Sequence, residues 1–236
     1  MEKVIAALWA PEGEGHAAYG ARVLATLPAA LAEAGAHSVR INVRDDIVLP
    51  GEALVQRWQT PQQAAIAQFW MPSANARFRR PVDAALTAHS ARFAAWLVCE
   101  STIIANTEHT PPGSHAPART WGWSQASFLA FRPDLTRAAA IAHWHSHHTR
   151  VAIETQSNFE YIQNLIVRPL TDDAPAYDAF VEECFPIEAL DQPEAFFDAV
   201  GNPDKFAANL AAMMDGCAGF IDFTRIDVMP TSQFDF

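Results

Sequence analysis

Cysteine is nearly absent. Cys99, Cys184 and Cys217 are the only three in 236 residues, each isolated among apolar or small neighbours. An odd, scattered set excludes a disulfide framework or a zinc knuckle and reads as reduced core residues, and none has the basic setting that favours a thiolate. Long hydrophobic runs are missing too. Nowhere do about eighteen apolar residues follow one another, and the N-terminus has no long apolar core with a cleavage site. A cytoplasmic location with no membrane partner is therefore expected. Positive charge is scarce, with 16 Lys and Arg against 27 Asp and Glu and a net charge of -11, which argues against nucleic acid or an anionic membrane as the partner. The ten glycines are scattered, so no Gly-rich turn leads from a strand into a helix, and there is no serine elbow. NAD, flavin and ATP chemistry are unsupported, and no cofactor is expected.

Apolar residues, by contrast, make up 50% of the chain, enough for one large core or two small ones. Residues 1–9 read as a strand, and 16–34 as an amphipathic helix in which Tyr19, Val23, Leu27 and Leu31 recur every four residues before Gly35. Residues 37–43 alternate as a half-exposed strand. A turn-rich stretch over 45–61 precedes a strand at 63–71, a helix at 73–90 and a strand at 93–102. This β-α-β-β-α-β order is that of a ferredoxin-like unit. The order returns beyond a Pro-rich crossing that contains Pro111-Pro112-Gly113-Ser114. Its elements are strand 124–132, helix 136–155, strands 158–167 and 177–185, helical material over 191–214, and strand 219–228. The expectation is an α+β fold of tandem ferredoxin-like repeats, at 1–103 and 123–236, with a crossing loop at 104–122. A chain carrying both halves needs no partner to close the structure, although assembly into a homo-oligomer through outer helices stays open.

Residues 128–164 carry the most chemistry, including four of the nine histidines. A short apolar strand ends at Pro133, Thr136 is placed to cap a helix, and Ile141, Trp144, His148 and Ala152 form its inward stripe. His148 is the one histidine on that stripe. A positioned imidazole is suited to acid/base work near neutral pH, and the competing reading is a core histidine held by a hydrogen bond. Trp144 offers an apolar wall and one N–H donor. Tyr161, Asn164 and Glu182 lie on strands from which they could orient a ligand or His148. His143 and His147 have the spacing of a helical metal pair, but the metalloprotease Glu and a third ligand are lacking, so no metal is expected.

Arg132-Pro133-Asp134-Leu135-Thr136, Trp144 with His148 four residues on, Tyr161-Ile162-Gln163-Asn164, Tyr177-Asp178-Ala179-Phe180-Val181-Glu182, and Asp215 with Phe220-Ile221-Asp222 together resemble the EthD family. That family is named for ethyl tert-butyl ether degradation. The resemblance covers roughly residues 124–228. Two departures are Thr149-Arg150 after the histidine, where the family often has a proline, and the extra histidines. The resemblance implies an α+β barrel, here within one chain, and a cofactor-independent enzyme. Such an enzyme would use His148 on an aromatic, polyketide or lactone-like ligand in a small hydrophobic pocket. It equally admits an oxidoreductase or monooxygenase-accessory protein of a degradation pathway, or a non-catalytic binder of a hydrophobic metabolite. Sliding one repeat onto the other by the strand spacing sets Ala21 opposite Trp144 and Ala25 opposite His148, which leads to the expectation of one site, in the C-terminal half.

Overall fold

The structure, a computed structural model, describes residues 1–107 and 118–236. The alternating and apolar runs of the first half form strands β1 (Glu2–Trp9), β2 (His37–Val43), β3 (Ala65–Met71) and β4 (Arg92–Ile104). Helix α1 (His16–Glu33) buries the four-residue repeat Tyr19, Val23, Leu27 and Leu31. Helix α2 (Ala76–His89) starts where the Asn75 side chain accepts a hydrogen bond from the Arg77 amide, satisfying one of the free donors of a first turn. A 3-10 turn, Leu49–Leu54, occupies part of the turn-rich stretch. The Pro111-Pro112-Gly113-Ser114 portion of the expected crossing lies outside the described residues.

A two-residue strand β5 (Ala118–Arg119) leads into β6 (Trp123–Phe131). Then come α3 (Arg137–His143), a π turn (Trp144–His148) and α4 (Thr149–Thr155) as one continuous helical segment. Strands β7 (Glu160–Pro169) and β8 (Ala179–Phe185) follow, then short α5 (Pro193–Phe196), α6 (Pro203–Ala218) and β9 (Ile221–Asp235). Two expectations need correction. The helical material over 191–214 is two helices, because Asp198 and Gly201 take positive φ and Asn202 caps α6 afresh through a bond from Lys205 N. The last strand does not stop at 228: its end pairs with β2, which holds it extended to Asp235.

The strands run in the order β2-β3-β1-β4-β7-β8-β6-β9, and β9 returns to β2. Every pairing is antiparallel. The result is a closed eight-stranded α+β barrel, four strands from each half of the chain. Helices α1 and α2 cover the outside of the first four strands, with Val23, Leu27 and Leu86 packed on Val4, Leu8 and Phe69. The segment α3–α4 and helix α6 lie over the other four. Because side chains alternate along a strand, each strand sends one set into the barrel and the other toward a helix. Among the described residues, no helix is long and apolar enough to cross a membrane.

The barrel interior is divided. One part is aromatic and aliphatic, with Ile5, Trp96, Phe128, Phe180 and Met229 in one cluster. The other is a buried polar network centred on Arg40, whose Nε donates to Asp235 Oδ1 at 2.6 Å and whose Nη1 donates to Glu160 Oε1 at 2.5 Å and Glu182 Oε2 at 3.1 Å. Glu182 also accepts from Asn42 at 2.5 Å, Gln68 at 2.7 Å and Ser124 at 3.0 Å. Burial alone would raise its pKa, but Arg40 and these donors outweigh it and keep the carboxyl low and charged. One cation thus ties strand β2 to three strands of the other half.

Candidate active site

Between the outer face of the second half-barrel and its helices lies a cavity of about 430 Å³. Leu129, Tyr161, Val181, Glu183, Ile226 and Val228 form its floor, all from the strand faces turned away from the lumen. Trp144, His148, Met213 and Cys217 descend from the helices, and Phe196, Phe197 and Phe220 close the sides. Met214 and Phe223, both exposed, stand at its edge. A concave, mostly apolar pocket with a few polar groups is the usual form of a small-molecule site.

The helix over this cavity is not regular. At Trp144–His148 it widens into a π turn, and Thr149 donates through both its amide and its hydroxyl, the latter at 2.9 Å, to the Trp144 carbonyl. π turns inside α-helices recur at functional sites. Here the turn buries Trp144 and His148 together while His145 is exposed and His143 and His147 are half-buried. Phe220 stacks on Trp144, with ring centroids 5.8 Å apart at 12°, and lies 5.0 Å from the His148 ring. Helix α6 comes close because position 216 is glycine: a Cβ there would sit 2.9 Å from His148 Nδ1.

His148 is 5% exposed and its Nδ1 has no hydrogen-bond partner among the described residues. Burial, aided by nearby His143 and His147, lowers its pKa to about 4, so at neutral pH the ring is an uncharged base. Its counterpart on the floor is Glu183. Asn158 donates to Glu183 Oε1 at 2.9 Å and Gln125 to Oε2 at 3.5 Å, yet complete burial raises the pKa to about 7. Gln156, at the end of α4, is 6% exposed, lines the cavity, and has both amide atoms unpaired. Cys217 also lines the wall, its thiol pushed up to about 12 by burial, so it behaves as an apolar group rather than a nucleophile.

Of the residues singled out in the sequence, the structure brings Trp144, His148 and Tyr161 to this cavity. The Trp144 N–H is engaged with the Tyr161 hydroxyl at 3.3 Å, and Gln163 donates to the same oxygen at 2.8 Å. Trp144 therefore offers a wall and not the free donor expected of it. Burial, with the nearby Glu183 charge, raises the Tyr161 pKa, so the phenol stays protonated. Asn164 and Glu182 are not in the cavity: both are fully buried on the opposite face of β7 and β8, toward the lumen. Glu183 and Gln156, which sequence reasoning passed over, occupy the site instead. Among the described residues no group of three or more His, Cys, Asp or Glu side chains is placed to hold a metal ion. His143 Nε2 lies 3.1 Å from the Gly216 carbonyl.

The comparison of Ala21 and Ala25 with Trp144 and His148 is overturned. Both alanines are exposed, on the solvent side of α1. Counted from the first helical residues, His16 and Arg137, the places of Trp144 and His148 fall to Val23 and Leu27, which are fully buried. The spacing of the strands does not carry into the helices, because the connecting turns differ in length. The first half holds a solid aliphatic core where the second holds a cavity.

Glu183→Gln is expected to stabilise the protein at pH 8, by on the order of 2 kcal/mol, and to change little at pH 4. The raised carboxyl contributes stability that is fully present below its unfolded value of about 4.5 and lost as pH rises through about 7. A neutral amide avoids burying that charge. Urea unfolding of both proteins at the two pH values measures the difference, and equal stability at pH 8 would contradict the assignment.

A family model described as the EthD domain matches residues 132–224. No curated protein matches the chain. Among solved structures, an anthrone oxidase-like protein is similar at a TM-score of 0.50 and 8% identity, covering 99% of this chain and 90% of its own. A proposed monooxygenase from Lactobacillus acidophilus is similar at a TM-score of 0.45 and 8% identity, covering 98% and 93%. At this identity the first likeness concerns the fold alone.

Proposed function

Because the second half of the chain carries an EthD domain over residues 132–224, we propose that the cavity beneath its π turn is the active site of a cofactor-independent small-molecule enzyme. His148 is its acid/base. The observation that carries this reading is an uncharged imidazole, 5% exposed, that lines an apolar pocket and whose Nδ1, packed against Gly216, has no hydrogen-bond partner among the described residues. A satisfied core histidine would have a partner for that nitrogen.

In the reaction the neutral ring takes a proton from a carbon next to a carbonyl, or from a phenol. The bonding electron pair passes to the ligand's oxygen, and the imidazolium returns its proton at the same or another atom. The aromatic walls exclude water and fit a flat apolar ligand. Trp144, Phe220 and Tyr161 set the orientation of the ring and of that ligand, while Asn164 and Glu182 serve the barrel. An oxidoreductase reading shares this first step: the carbanion would then form a C–O bond to dioxygen, the imidazolium would protonate the resulting peroxide, and O–O cleavage with loss of water would leave a new carbonyl on that carbon. The description of one similar structure as anthrone oxidase-like favours including oxygen uptake in the assay.

The test needs no knowledge of the natural substrate. Exchange of the acidic C–H of α-tetralone in deuterium oxide is followed by NMR with and without the protein. The rate should be level across neutral pH and fall as pH drops through about 4, where the imidazole takes up its proton. Exchange no faster than buffer, or a limb centred near 6.5 as for a free histidine, would remove His148 from the mechanism and favour a non-catalytic binder.

A further inference from the structure

Among the described residues that line the cavity, Gln156 is a buried side chain that neither the fold nor the proton transfer uses. Gln156 is a primary amide, 6% exposed, lining the cavity with both Oε1 and Nε2 unpaired. Leaving one buried donor or acceptor unpaired costs about 1–3 kcal/mol, and here both ends of one group in the cavity wall are buried without a partner. A buried amide in this state is complementary to a ligand that offers an acceptor and a donor side by side.

The charge of the walls narrows the class further. No Lys or Arg lines the cavity among the described residues, and its one acidic group is Glu183. A carboxylate or phosphate entering such a site would lose its hydration with no cation to replace it. A hydroxyl next to a carbonyl on an apolar ring system satisfies both conditions: the carbonyl accepts from Nε2, the hydroxyl donates to Oε1, and no net charge is buried.

We infer that Gln156 is the specificity-determining residue of the cavity, selecting uncharged apolar ligands in which a hydroxyl and a carbonyl stand on neighbouring carbons. This rests on the cavity being the ligand site, and it names the part of the ligand that the aromatic walls cannot distinguish. The carbon bearing the hydroxyl is also the one next to the carbonyl, so the group that Gln156 holds is the group whose proton His148 would remove. Binding and proton transfer are then separable, since one residue reads the oxygens and the other takes the hydrogen.

The experiment measures binding to the whole protein by tryptophan fluorescence and calorimetry for three matched probes. These are α-tetralone carrying a hydroxyl on the adjacent carbon, its methyl ether, and the tetralin carboxylate of the same size. The wild-type protein should bind the hydroxy-ketone about tenfold tighter than the ether, the effect of one hydrogen-bond donor at a buried site, and the carboxylate most weakly. Gln156→Leu, which keeps the volume and removes both polar atoms, should bind the ketone and its ether equally, while His148→Ala should still discriminate between them. Equal binding of the two by the wild type, preference for the carboxylate, no binding of any probe, or discrimination retained in Gln156→Leu would each overturn the inference. The wild-type comparison decides even if the leucine variant fails to fold. Loss of the base reading would show separately, as unchanged deuterium exchange in His148→Ala with the binding pattern intact.

Discussion

His148→Ala is expected to slow deuterium exchange by about 10²- to 10⁴-fold, the span ascribed to a positioned general base. Binding of the same ligand should change by no more than a few fold. The two effects part because the imidazole contributes in the transition state, where the proton is in flight, and makes little contact with the ground state that Phe220, Trp144 and the floor of the cavity do not also make. His148→Gln, closer in volume, should be as slow, which separates loss of the base from collapse of the pocket. A rate within threefold of wild type in either variant would show that another group takes the proton. Glu183 is then the one to examine, since it is the carboxyl among the described lining residues and burial raises it to about 7.

The same substitution has a signature in stability. Unfolded, the imidazole binds its proton near 6.5; folded, it does so only near 4. Between those values the unfolded chain holds more protons, so the wild type loses stability as pH falls from about 6.5 toward 4, and His148→Gln should lack that loss. Denaturant titrations at pH 5 and pH 8 read this directly. A variant whose stability falls as steeply as the wild type's would place the acid sensitivity elsewhere.

Arg40→Ala should destabilise the barrel by roughly 3–5 kcal/mol, the cost of removing one partner from a buried ionic cluster. Arg40 is the common partner of Glu160, Glu182 and Asp235, and without it Glu160 and Glu182 keep only neutral donors as direct partners and repel each other in the lumen. For a chain of this length that corresponds to a melting temperature lower by about 10 °C or more. Adding Glu182→Gln should recover part of the loss by removing one of the orphaned charges, a non-additivity expected of residues in one network. A single-variant change below about 1 kcal/mol would mean that water reaches the lumen and screens the cluster. The cavity lies outside the barrel wall, so the exchange rate of folded Arg40→Ala protein should stay near that of wild type.

The element order needed no tertiary information. Period-two and period-four hydrophobic patterns, together with Thr136 before its helix, locate the strands and helices within a few residues, and the inward stripe of α3–α4 isolates His148 from the three histidines around it. Resemblance to the EthD family drew attention to the same histidine and to the C-terminal half of the chain, where the family model matches residues 132–224.

The facing of strand residues could not be settled that way. Alternation shows that Tyr161 and Asn164, three apart on one strand, must point to opposite sides, and likewise Glu182 and Glu183. It does not show which side meets the helix when both are buried, as they are in β7 and β8. That choice depends on the pairing of Tyr161 with Glu183 and of Ile162 with Glu182 across the sheet, and on the lumen supplying Arg40 to one carboxylate but not to the other. Gln156 lies just past the end of a helix and carries no sequence signal. The chain by itself determined the elements and the one histidine on a buried stripe, since these follow from local periodicity. The closure of β9 onto β2, the inward turn of Glu182, and the cavity with Gln156 and Glu183 were decided by long-range packing, because a residue's neighbours across a barrel are set by strand register and not by sequence distance.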